Sequence, residues 1–196
     1  MKYKKTYIVP HRRRREGKTD YRLRLKLLLS KKPRLVIRRS LNNMICQIVN
    51  FDPKGDKTIV FADCCDLKKF GWKINSGNIP AAYLIGLIAG LKAKKAKIKE
   101  AVLDIGLNVS TKESRIYAAL KGFLESGINV PHSEEILPKE ERVKGEHIAK
   151  YAEKLKKENL NEYKKRFSVY LKNKINPEDL PKEFERVKNN IMKNLK

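Results

Sequence analysis

The chain has 196 residues, 41% of them apolar and 35% charged, with 46 Lys and Arg against 22 Asp and Glu. That length fits one compact domain with an appendage, and a net charge of +24 points to a polyanionic partner. The longest apolar stretch, Ile79 to Leu91, falls short of the roughly 20 residues that span a bilayer, and the charged N-terminus lacks a signal-peptide pattern. A non-secreted, soluble protein is expected.

The charge is concentrated at one end. Residues 1–40 hold 16 Lys and Arg against 2 acids, which is +14 of the +24. Within them Arg12, Arg13, Arg14 and Arg15 are adjacent, followed by Lys18, Tyr21, Arg22, Arg24 and Lys26. Four neighbouring guanidiniums repel one another, so this arm is expected to become ordered only against dense phosphate. Thr19 is placed to cap a short helix with Tyr21, Leu25, Leu28 and Leu29 on its docking face. Arg22, Arg24 and Lys26 then point outward, and Pro33 ends the helix.

Residues 34–130 read as an α/β core. Arg34 to Arg39 is strand-like, Asn42-Asn43 is a turn, and Met44 to Val49 is a second strand. Asp52-Pro53-Lys54-Gly55-Asp56 makes another turn before a third strand, Lys57 to Cys65. These form an antiparallel meander. Alternation puts Arg34, Val36 and Arg38 on one face of the first strand, either adding to a phosphate-binding surface or simply solvated.

Asn78 is placed to cap a helix to about Lys95, whose Gly86 and Gly90 suit close packing on a sheet. Ile98 to Leu107 reads as a strand parallel to the third, completing a βαβ unit in a mixed sheet. Ser110 and Glu113 are spaced as a capping box for a helix carrying Ile116, Ala119, Leu120, Phe123 and Leu124, closed by Gly127. Residues 131–196 change character: Ile148, Tyr151, Ala152 and Leu155, then Phe184, Val187 and Ile191, recur at helical spacing, interrupted by Pro177 and Pro181. The expected organisation is a basic arm (1–33), an α/β core (34–130) and a helical extension (131–196).

Little in the sequence suggests catalysis. Cys46, Cys64 and Cys65 show no zinc spacing with His11, His132 and His147 and are expected to be small buried side chains. No glycine-rich phosphate loop occurs, and neither a cofactor nor a small-molecule substrate is expected. Asp63 and Asp104 fall near the ends of strands expected to be neighbours, as in a magnesium-dependent nuclease of the ribonuclease H type. The helix that should supply a third acid, residues 79–91, contains none, so this nuclease is only the alternative reading. Phe70 and Trp72 lie among lysines, as either base-stacking residues or core anchors.

Several long strings together resemble a known family. RRRREGKTDYRLRLKLLLSKKPRLVIRRS, DLKKFGWKINSGNIPAAYLIGLIAGLKA, AVLDIGL, GFLESGINVPHSEEILP and GEHIAKY are similar to the archaeal type of large-subunit ribosomal protein eighteen. Its eukaryotic relative is large-subunit ribosomal protein five. The resemblance runs from about Tyr3 to Phe184 and implies a non-enzymatic ribosomal protein with a mixed-sheet α/β core, a basic arm and a helical C-terminal extension. It further implies binding of 5S rRNA in the central protuberance, attachment to 23S rRNA, and the large-subunit protein numbered five as a neighbour. By position, Arg12 to Arg15, Lys18, Tyr21, Arg22 and Arg24 correspond to the RNA-contacting segment.

Overall fold

The computed structural model describes residues 8–195. Residues 1–7, the first part of the basic arm, lie outside them. Helix α1 (Arg12–Arg15) is a single turn and α2 (Tyr21–Leu29) follows it. Strands β1 (Arg34–Arg39), β2 (Met44–Asn50) and β3 (Lys57–Asp63) form the antiparallel meander. Then come α3 (Cys64–Lys69), α4 (Ile79–Lys95), β4 (Val102–Asp104) and α5 (Arg115–Leu124). The extension contains α6 (Glu140–Lys144), α7 (Glu146–Glu158), α8 (Leu160–Arg166), α9 (Ser168–Lys172) and α10 (Leu180–Leu195).

The sheet has the order β3-β2-β1-β4, so the fold is α/β with a mixed sheet. The parallel strand is not beside β3, as expected, but beside β1, with Val36 opposite Asp104. It is also short. The third strand ends at Asp63, whose carboxylate accepts from the Cys65 and Asp66 amides and so starts α3 where strand was expected to continue. Cys46 and Cys64 are buried, whereas Cys65 is exposed.

Helix α4 is buried along nearly its whole length and sits between the sheet, α5 and the extension. Asn78 caps it by accepting from the Ala81 amide, as expected. Its glycines serve α5 rather than the sheet. A Cβ on Gly86 would lie 1.9 Å from the Ala119 carbonyl oxygen, and one on Gly122 would lie 2.0 Å from that of Tyr83. The two backbones therefore approach more closely than side chains permit. Helix α5 begins at Ser114 without a side-chain cap: Ser110 hydrogen-bonds the Tyr117 hydroxyl instead, and Glu113 has φ of 56°. The capping box is thus not used.

The extension joins the same hydrophobic core. Phe184, Val187 and Ile191 are buried, and the Phe184 ring lies 5.5 Å from that of Tyr83 on α4. Lys188 adds a 2.7 Å ion pair to Glu125 at the end of α5. Tyr151, expected on the inner face of α7, is 42% exposed and lies beneath Arg166.

Candidate nucleic-acid interface

The arm is anchored by a turn and a cap. Asp20, not Thr19, caps α2, its carboxylate accepting from the Arg22 and Leu23 amides at 2.9 and 3.2 Å. The longer reach of aspartate and its charge at the positive helix end favour it over threonine. Thr19 instead accepts from Arg13 Nε at 2.9 Å, and the His11 ring lies 5.1 Å from that of Tyr21. Gly17, with φ of 63°, reverses the chain between the two helices. The described part of the arm therefore has structure of its own.

Helix α2 docks by a face rotated from the one expected, keeping Tyr21 and Leu28 of that set but not Leu25 and Leu29. Leu25 and Leu29 are 61% and 71% exposed, while Tyr21, Arg24, Leu27 and Leu28 are half-buried. Charge sets this rotation. Asp56, in the β2–β3 turn, accepts from Arg24 Nη2 with both oxygens at 2.9 Å. This pulls Arg24 inward, although it was expected to point outward.

Asp56 also pairs with Arg34 Nη2 at 2.5 Å, and Arg34 Nη1 reaches Asp104 Oδ2 at 2.8 Å. The other oxygen of Asp104 takes Arg38 Nη2 at 2.9 Å and the Gly106 amide at 2.9 Å. Arg38 also donates to the Asp104 carbonyl at 2.7 Å. Three arginines thus share two carboxylates across the sheet's outer face, leaving one positive charge. Arg34 is only 4% exposed, so the expected open face carrying Arg34 and Arg38 does not form. The cause is the topology: β4 brings Asp104 alongside β1, and a buried guanidinium is tolerated only when paired. Burial alone would raise the Asp104 carboxyl, but Arg38, the Gly106 amide and Arg34 outweigh it and hold it below the ordinary aspartate value.

The remaining arm cations face outward. Arg12, Arg13, Arg14, Arg15, Lys18, Arg22 and Lys26 are all exposed. Glu16 is the only acidic contact of these seven among the described residues, 3.6 Å from Arg12 and 2.9 Å from Lys18, while Lys32 at the arm's end pairs with Glu100. Arg14, Arg15, Arg22 and Lys26 form no ion pair there. These last four can neutralise phosphates without giving up an ion pair within the described residues.

Beneath the arm is an open cleft of about 670 Å³, lined by residues of the arm, β1, the β2–β3 turn and the segment after β4. Sequence reasoning missed its far wall, Gly106, Leu107 and Asn108, and the anchoring role of Asp56. The signal for Asp56 was present: an acidic turn opposite an almost wholly basic arm.

The nuclease geometry does not assemble. Asp63 and Asp104 stand on opposite edge strands, one capping α3 and the other neutralising arginines. Asp63, Cys64 and Cys65 do bring three potential metal donors within 4.8 Å of one another. However, the Cys64 thiol hydrogen-bonds Asn43 at 3.2 Å and is pushed up by burial and then by the Asp63 charge, which disfavours the thiolate. Trp72 is 2% exposed and anchors its loop to the core, which removes it as a stacking platform. No described helix is long and apolar enough to cross a membrane.

Two overlapping segments of the chain, residues 5–100 and 89–133, match the family of ribosomal large-subunit proteins 60S L5 and 50S L18. Together they run through the arm, the whole sheet, α4 and α5, and stop before the helical extension. Since the match takes in well over half of the 196 residues, the chain belongs to that family of large-subunit ribosomal proteins.

Proposed function

We propose that this protein is a structural constituent of the large ribosomal subunit in the cytoplasm that binds 5S rRNA and attaches it to 23S rRNA in the central protuberance. We read it as the archaeal type of large-subunit protein eighteen, with the large-subunit protein numbered five as its neighbour. One observation carries the RNA reading: the exposed arginines and lysines of the arm are held on a short, capped scaffold and are barely neutralised by the rest of the chain. Arg12 to Arg15, Lys18, Arg22 and Lys26 are the phosphate contacts in this reading, with Tyr21 beside them. Arg24 and Arg38 serve partly and Arg34 wholly to fix the scaffold. Large subunits purified from the native organism and probed by RNA footprinting test it. Protections on 5S rRNA that vanish when the protein is omitted from reconstitution are expected; protections confined to other RNAs would contradict it.

A further inference from the structure

The cleft under the arm has features that phosphate binding alone does not use. Its floor includes Arg34, which is held in place by Asp56 and Asp104. Its walls are mixed: Leu23 and Leu107 are 37% and 56% exposed, and the half-buried Tyr21 lines the cleft with them, His11 packing on the ring 5.1 Å away. The Tyr21 hydroxyl makes no hydrogen bond among the described residues. Asp20 caps α2 with one carboxylate oxygen and leaves the other unused there.

A second cleft of about 360 Å³ adjoins the first and shares Thr19, Asp20, Tyr21 and Leu107 with it. Arg14 and Arg22 line this side, while Arg13, Lys18 and Arg34 line the other. An aromatic ring with apolar neighbours, unsatisfied polar edges and guanidiniums on both flanks matches one chemical object, a nucleotide with its base unstacked and its phosphates outside. Sites of this size hold single small ligands.

Building on the RNA-binding reading above, we infer that this cleft takes one unpaired nucleotide of the bound RNA. Its base stacks on Tyr21 against Leu107, and its edge meets the free carboxylate oxygen of Asp20 and the Tyr21 hydroxyl. The flanking phosphates lie on Arg13 and Lys18 on one side and Arg14 and Arg22 on the other. The arm then reads a base as well as a backbone.

Binding of the full chain to 5S rRNA at several salt concentrations tests this. Stacking on an aromatic contributes enough per base that Tyr21→Ala should weaken binding by about 5- to 150-fold, with the log–log salt slope unchanged. Tyr21→Phe keeps the ring and should stay within about threefold. Affinity within twofold of wild type for Tyr21→Ala, while a variant lacking Arg12 to Arg15 binds weakly, would overturn the nucleotide pocket and leave the arm reading intact. Unchanged binding in both variants would sink the RNA reading itself. Should Tyr21→Ala loosen α2, ultraviolet irradiation of native subunits followed by peptide mass spectrometry gives an independent answer. A nucleotide adduct on the peptide containing Tyr21 is expected; adducts confined to Arg12–Lys18 would overturn the pocket.

Discussion

Arg34 and Asp104 face each other at 2.8 Å in the interior, joining the first strand of the sheet to the last. The pair ties the arm to the core, because Arg34 also holds Asp56 and Asp56 holds Arg24. Removing Asp104 would leave Arg34 only Asp56, which Arg24 also uses, and would strip Arg38 of its carboxylate; breaking a buried pair in this way costs about 3–5 kcal/mol. Asp104→Ala should lower unfolding free energy by about that amount in urea titration. The double variant Arg34→Met, Asp104→Leu should recover most of the loss. Equal instability of single and double variants would show that packing, not charge, dominates there.

Acid should act on the same carboxylate. Its folded-state value lies below the ordinary one, so its contribution is fully present above the unfolded aspartate pKa of about 3.9. That contribution is lost as pH falls through the lower folded value. Asp104→Asn should flatten the stability profile in that acid window while leaving its shape above about pH 5 unchanged. Chemical denaturation at a series of pH values reads this directly.

Gly86→Ala should be among the most damaging single-methyl changes in the chain. The new carbon would have to displace the Ala119 backbone of α5, since it would sit 1.9 Å from that carbonyl oxygen. Overpacking usually costs about 1–3 kcal/mol, and a backbone obstacle places this case at or above the upper end. Thermal melts of Gly86→Ala and of the exposed helix control Lys157→Ala should differ clearly. Similar melts would contradict the close helix approach.

These cases show what the sequence made legible. The meander, the cap at Asn78 and the helical repeat through Phe184, Val187 and Ile191 follow from local patterns, and the structure has all three. The neighbour of β4 was not local information. Only the packing of α4 decides which strand the crossover reaches, and that choice separates Asp63 from Asp104 and buries Arg34. The docking face of α2 was misread for a similar reason, because an ion pair to Asp56, distant in sequence, outweighed the leucine spacing. Arg12 to Arg15 were legible as an exposed cluster because four adjacent cations have few alternatives to water or phosphate.

The extension should be part of the folding unit, although the family match stops at residue 133. Phe184 is buried against Tyr83, so Phe184→Ala should cost about 3–5 kcal/mol in a single cooperative transition. A biphasic melt in which the core transition is unchanged would show instead that the extension folds independently.

The most direct test of the central claim is the salt dependence of 5S rRNA binding with and without the arginine cluster. Each phosphate neutralised releases condensed counterions and contributes about −0.7 to −0.9 to the log–log slope. If three or four of Arg12 to Arg15 touch phosphate, changing all four to Ala should flatten the slope by about 2–3.5 units, with the greatest loss of affinity at low salt. An unchanged slope in that quadruple variant would contradict the account, because the exposed arm would then not be the electrostatic anchor.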